Sequence, residues 1–291
     1  MHYRICNKYS VTEADPKEFA TYYVIYGHAN KNVWFPTTMN NSIELFSKIE
    51  KPYFISYDGT RIGGFIMEDN WFGFVFLIPP FNKEFNIIKG IVQLIKEAKK
   101  SKSISVSGVY PHSYQNFQRL GFQITETERI MIRPTSQFYI KWSNDLCLET
   151  ANESNTEELT KLYYNVYKNS PIKCIADQDF DFYSDLLKRH IPIVEEKYST
   201  MLRKKSNNEL IASCLVFIWQ ELPYIADLVV SEKYQDKGLG SMLIKKALNN
   251  AYGKYPAIRL AVKVGNRAEG LYHKLGFVTG VESSDLILQL N

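Results

Sequence analysis

Tyr234-Gln235-Asp236-Lys237-Gly238-Leu239-Gly240-Ser241 joins an apolar run ending in Val229-Val230 to a segment with helical periodicity. In that segment Leu239, Met242, Leu243, Ala247, Leu248 and Ala251 recur at helical spacing, which predicts an amphipathic helix from about Gly238 to Tyr252. Tyr224–Val230 before the loop and Ile258–Val262 after the helix read as strands. Two glycines between a strand and a helix start have a physical meaning. The first turn of a helix presents unpaired N–H groups and the positive end of the helix dipole. An anion such as a diphosphate approaches those groups closely only where no Cβ stands in the way. Lys233 and Lys237 add positive charge. Two other phosphate loops are excluded. Leu243 stands where the third glycine of Gly-x-Gly-x-x-Gly would fall, and no Gly-Lys-Ser/Thr follows.

Downstream come Asn266 and Leu271-Tyr272-His273-Lys274-Leu275-Gly276-Phe277. The order Val-Val, Gln-x-x-Gly-x-Gly, helix, strand, Asn, Leu-Tyr-x-x-Leu-Gly-Phe resembles the GNAT superfamily of N-acetyltransferases. The resemblance covers about Leu146 to Leu290 and is densest from Tyr224 to Phe277. It implies acetyl-CoA as co-substrate. The strand Ile225–Val230 would splay from Ile258–Val262, with the pantetheine arm held by the main chain of Leu228, Val229 and Val230. Gln235, Asp236, Lys237, Gly238, Leu239, Gly240 and Ser241 would form the pyrophosphate loop. Asn266 would touch the pantetheine, or cap the helix starting near Arg267, or do both. Tyr272 matches the family tyrosine that donates to the departing thiolate. Asp227 is the candidate base. Strand alternation places it opposite Leu228 and Val230, which leaves open a catalytic or a structural role. Glu221 is a weaker candidate, and His273 reads as a surface residue.

The first half of the chain repeats this order. Asn116-Phe117-Gln118-Arg119-Leu120-Gly121-Phe122 parallels the later Leu-Gly-Phe phrase. Before it come a strand Trp71–Ile78, a helix from about Glu84 to Lys99 and a strand Ser103–Val109. Asp58-Gly59 predicts a tight hairpin, as Asn207-Asn208 does in the second half. The fold class is therefore α+β, with two tandem GNAT-like domains over 1–136 and 145–291, each a mixed, mostly antiparallel sheet flanked by helices. Phe138–Trp142 reads as a bridging strand, Asn155 and Glu158 as a capping box, and Asp177–Arg189 as a helix. The first copy lacks the chemistry. Phe117 stands against Tyr272, Pro111 against Asn266, and the loop Pro79–Phe85 has two prolines and no glycine. It looks like a degenerate repeat, with Tyr22, Tyr23, Trp34 and Phe35 as candidate lining of an acceptor surface or as core.

The 291 residues carry a formal charge of +4 without a basic block, which disfavours a nucleic-acid partner. Four scattered cysteines form no metal or disulfide pattern. No leader or membrane-spanning run is visible, so a cytoplasmic enzyme without a membrane partner is expected. The expected reaction is acetyl transfer from acetyl-CoA to a primary amine by direct attack in a ternary complex. The acceptor is a small-molecule or peptide amine, and a homodimer is among the expected states. The alternative is a non-catalytic acyl-CoA-binding sensor or scaffold.

Overall fold

A computed structural model describes residues 2–6, 8–28, 37–98 and 102–290; Trp34 and Phe35 lie outside these. The chain forms two compact units. One takes the described residues of Met1–Glu128 and Val281–Asn291, and the other is Arg129–Gly280.

The first unit begins with β1 (His2–Cys6), β2 (Tyr9–Glu13), α1 (Pro16–Tyr26) and α2 (Met39–Phe46). It continues with β3 (Pro52–Tyr57), β4 (Thr60–Glu68), β5 (Trp71–Leu77), α3 (Glu84–Ala98), β6 (Ser103–Val109) and α4 (Tyr114–Gln118). Local chemistry explains several of these boundaries. The Asp15 carboxylate accepts from Glu18 N–H at 2.8 Å and starts α1. Asp58 and Gly59 both take positive φ, 46° and 80°, so Tyr57 pairs directly with Thr60 in a two-residue hairpin. The apolar face of α3, Ile87, Ile88, Ile91, Leu94 and Ile95, is buried on the sheet. Tyr23 is core, 2% exposed, and Tyr22 is half-buried under the Arg61 guanidinium.

β7 (Gln123–Pro134) leads into the second unit, where β8 (Leu146–Glu149), α5 (Thr156–Tyr167), α6 (Lys173–Ala176), α7 (Phe180–His190), β9 (Thr200–Lys204) and β10 (Leu210–Trp219) follow. Then come β11 (Leu222–Val230), α8 (Leu239–Ala251), β12 (Ala257–Lys263), α9 (Ala268–Lys274) and β13 (Val278–Gln289). Within this unit the strands lie in the order β7-β12-β11-β10-β9-β8. The helices α5 and α7 cover one sheet face, and α8 packs on a core of Ile211, Val216, Ile225, Ile258 and Leu260.

Four expectations change. Phe138–Trp142 forms no strand; instead Asn249 clamps Phe138, accepting from its N–H at 2.6 Å and donating to its carbonyl at 2.8 Å. Asn155 and Glu158 form no capping box. The Asn155 side chain bonds back to Asn152 N–H, and Glu158 pairs with buried Arg203. The helix read over about Asp177–Arg189 starts three residues later, at Phe180, because Asp179 caps it by accepting from Phe182 N–H at 2.8 Å. Finally, the compact units differ from the spans 1–136 and 145–291. The strand after each Leu-Gly-Phe leaves its own repeat: Arg129–Pro134 of β7 belongs to the second unit, and Val281–Gln289 of β13 to the first. Leu286 and Leu288 pair with Val106 and Ile104 of β6 and are buried in the first core, whereas Met131 is buried in the second. Side-chain alternation defines a strand but not its neighbour, so the repeat pattern alone is blind to this exchange.

Candidate functional site

β11 and β12 run parallel and pair only at Tyr224↔Arg259 and Ile225↔Leu260. Both strands continue beyond that point, to Val230 and Lys263, so they diverge. The main chain of Leu228 and Val229 therefore has no ladder on the β12 side. On its other edge β11 pairs with β10, with one irregularity. Leu215 faces Asp227 and Val216 faces Ile225, which leaves Ala226 as an extra residue. This bulge resets the alternation. Tyr224 and Asp227, three apart, fall on one face with their partners Phe217 and Leu215. Leu228 and Val230 point to the α8 side, where a Cβ on Gly240 would lie 3.8 Å from each.

The loop after β11 ends in a helix start built for close approach. Gly238 has φ 80° and ψ 0° and caps α8, a conformation that penalises any side chain. A Cβ there would meet nothing within 4 Å, so it would project into open space before the helix. The first helical bond is Met242 N–H to Gly238 carbonyl at 3.0 Å, and the N–H groups of Leu239, Gly240 and Ser241 precede it. Gln235 donates to the Val230 carbonyl at 3.0 Å and ties the loop to the strand end. Lys237 is turned back, donating to the Lys233 carbonyl at 2.7 Å. Asp236, at φ 58°, puts a carboxylate in the loop, and Arg267 neutralises it with contacts of 3.0 and 3.1 Å.

Asp227 is not solitary. Its Oδ2 lies 2.9 Å from Nδ1 of His190, the last residue of α7, and the two side chains are 11% and 23% exposed. Around them stand Tyr163 and Tyr167 of α5 and Tyr183 of α7, with adjacent ring centroids 5.8 and 5.5 Å apart. Tyr272 of α9 is buried at 7% exposure. Burial, with the Asp227 charge adding to it, holds the hydroxyls of Tyr163, Tyr167, Tyr183 and Tyr272 well above the usual phenol range. The same two causes push the Cys214 thiol up to about 12.

Residues 157–277 match the Acetyltransferase (GNAT) family, and the match covers the splayed strands, the glycine loop and Tyr272. The second unit contains this GNAT-family domain. No curated protein matches the chain by sequence. Among solved structures, a GCN5-related N-acetyltransferase from Sphaerobacter thermophilus is similar, with TM-score 0.72 and 9% identity over 98% of this chain and 97% of that one. A tandem GNAT protein from the clavulanic acid biosynthesis pathway, solved without AcCoA, gives TM-score 0.68 and 8% identity over 97% and 98%. A fungal glucosamine N-acetyltransferase region, part of a multi-domain GH3 beta-N-acetylglucosaminidase, gives 0.65 and 11% over 98% and 38%. At such identities the likeness is one of fold: tandem GNAT-like architecture.

Within the GNAT domain, Asn266 performs the capping role. Its Oδ1 accepts from Ala268 N–H at 2.9 Å and starts α9. Glu221 sits in the β10–β11 hairpin turn, at the opposite end of β11 from Asp227 and the loop. His273 is half-exposed beside Glu269, as expected of a surface residue. His190 escaped the sequence reading. A single histidine closing a helix has no motif, and only the fold carries it to Asp227.

Proposed function

We propose that the GNAT domain transfers an acetyl group from acetyl-CoA to a primary amine on a small molecule or peptide, by direct attack in a ternary complex. The observation that carries this reading is the divergence of β11 and β12 beside the Gly238–Ser241 helix start. An extended pantetheine fits there as an added strand, bonded to the main chain of Leu228, Val229 and Val230. Its diphosphate would meet the N–H groups of residues 237–241. The carboxylate nearest the glycines, that of Asp236, is already neutralised by Arg267.

Acetyl-CoA supplies an activated thioester, and this chain's residues supply position and proton handling. The Tyr272 hydroxyl stays protonated at any physiological pH, because burial disfavours its phenolate. A thiol has a pKa of about 8.5, so such a phenol acts as a hydrogen-bond donor to the departing sulfur rather than surrendering its proton outright. Asp227 supplies negative charge on the acceptor side.

Calorimetry of the full chain with acetyl-CoA should show saturable binding, and primary amines should accelerate thiol release. Tyr272→Phe should lower kcat about 100-fold while leaving the Kd for acetyl-CoA within about twofold. Binding without turnover on any amine would identify a sensor, and no binding would sink the reading.

A further inference from the structure

His190 and Asp227 sit at the junction of α5, α7, β10, β11 and α9, on the sheet face that carries Tyr224. The imidazole packs 5.7 Å from the Phe217 ring, and Phe217 lies 5.5 Å from Tyr224, so an aromatic wall shields one side of the pair. Asp227 Oδ2 takes the hydrogen bond from Nδ1, which fixes the tautomer and leaves the Nε2 lone pair free of that partner. Of the two side chains the imidazole is the more exposed, 23% against 11%.

We propose that His190 is the proton acceptor for the incoming amine, with Asp227 holding it in place through Nδ1. This rests on the acetyl-transfer reading and assigns the base within it. An ordinary carboxylate at about 3.9 is badly mismatched to an ammonium near 10, and an ordinary imidazole at about 6.5 is closer. One ammonium proton passes to Nε2. The freed amine electron pair forms the C–N bond to the thioester carbon, the C–S bond breaks, and its electron pair goes to sulfur. A second N–H proton is lost to water as the amide forms, and sulfur leaves as a thiolate that accepts a hydrogen bond from the Tyr272 hydroxyl. His190 then returns its proton to water. The titratable groups nearest the pair from neighbouring elements are Tyr163 and Tyr167 on α5, Tyr183 on α7 and Tyr272 on α9, with Cys214 of β10 on the opposite sheet face. All of them stay neutral through the neutral range.

The test uses His190→Asn, whose amide nitrogen reproduces the Nδ1 donor to Asp227 but offers no base. With acetyl-CoA and a panel of benzylamine, spermidine, glucosamine and a peptide with a free N-terminus, kcat on the best amine should fall about 100-fold or more, and the acid limb of kcat/KM should disappear. The Kd for acetyl-CoA should not move. Nitrogen-15 NMR of the unaltered chain should show the Nδ1–H tautomer at His190. A variant with wild-type kcat and an intact acid limb, or an Nε2–H tautomer, overturns the assignment. Should the variant fail to fold, the tautomer measurement decides. Failure of the unaltered chain to bind acetyl-CoA instead removes the acetyl-transfer reading.

Discussion

The two units share a strand divergence and differ at the helix start in front of it. In the first unit β5 and β6 pair only at Trp71↔Ser105 and Phe72↔Val106, and β5 carries a bulge opposite β4, as β11 does opposite β10. The frame of the site is therefore present twice. At the start of α8 stands Gly238, with no side chain and open space where a Cβ would project. At the start of α3 stands Glu84, whose carboxylate accepts from Ser113 Oγ at 2.7 Å and Asn116 Nδ2 at 2.6 Å. A carboxylate there already answers the helix dipole and would repel a diphosphate. Trp71 spans the divergence, its Nε1 donating to Ser107 Oγ at 3.1 Å. Phe117, in the position of Tyr272, packs on Phe72 and Phe122 and offers no hydroxyl. The comparison separates scaffold from chemistry: splay and bulge belong to the fold, and the two copies differ in a few residues laid on it.

The sharpest way to break this contrast is Gly238→Val. A β-branched residue is strained at φ 80° and fills the space before the helix. We expect the Kd for acetyl-CoA to rise about 100-fold, near 2.7 kcal/mol, by calorimetry. Glu84→Ala should leave that Kd unchanged, and an equal loss there would place the site in the first unit.

A second contrast lies in buried phenols. In the GNAT domain four tyrosines, Tyr163, Tyr167, Tyr183 and Tyr272, are held above their ordinary pKa. The folded state then keeps protons that the unfolded chain releases above about pH 10, so their stabilisation is complete below that pH and declines as pH rises past it. The Tm should fall by about 5 °C or more between pH 9 and 11. Tyr167→Phe should make that slope shallower, and an unchanged slope would show that other groups govern it.

The smallest expected effect concerns the loop charge. Arg267 and Asp236 are 68% and 83% exposed, so their pairing contributes little to stability. Arg267→Ala should nonetheless uncover Asp236 and weaken acetyl-CoA about three- to tenfold at low salt, with much less effect at high salt. The double variant with Asp236→Asn should recover most of the loss. Failure to recover would mean that Arg267 acts on the coenzyme directly.

Local signals made much of the fold legible. Leu239 to Ala251 announced α8, Asp58-Gly59 its hairpin, and Gln235 to Ser241 the loop, because each rests on periodicity or on the φ that glycine and aspartate tolerate. Asp227 was legible as a candidate, but its contact with His190 was not. Ala226 shifts the alternation by one, which brings Tyr224 and Asp227 to the same face, and no residue type marks that bulge. The Glu158 misreading has the same origin. A capping box and an ion pair to Arg203 demand the same carboxylate, and only a strand 45 residues away in sequence selects the second.

The order of residues alone determined a tandem fold, a second copy with the glycine loop and the Tyr272 phenol, and a first copy without either. These follow from short-range steric and periodic rules that act within a dozen residues. Tertiary structure decided which core receives the strand after each Leu-Gly-Phe, that Tyr224 shares the face of Asp227, and that His190 meets Asp227. Those outcomes depend on burial against distant partners, whose free energy no local pattern records.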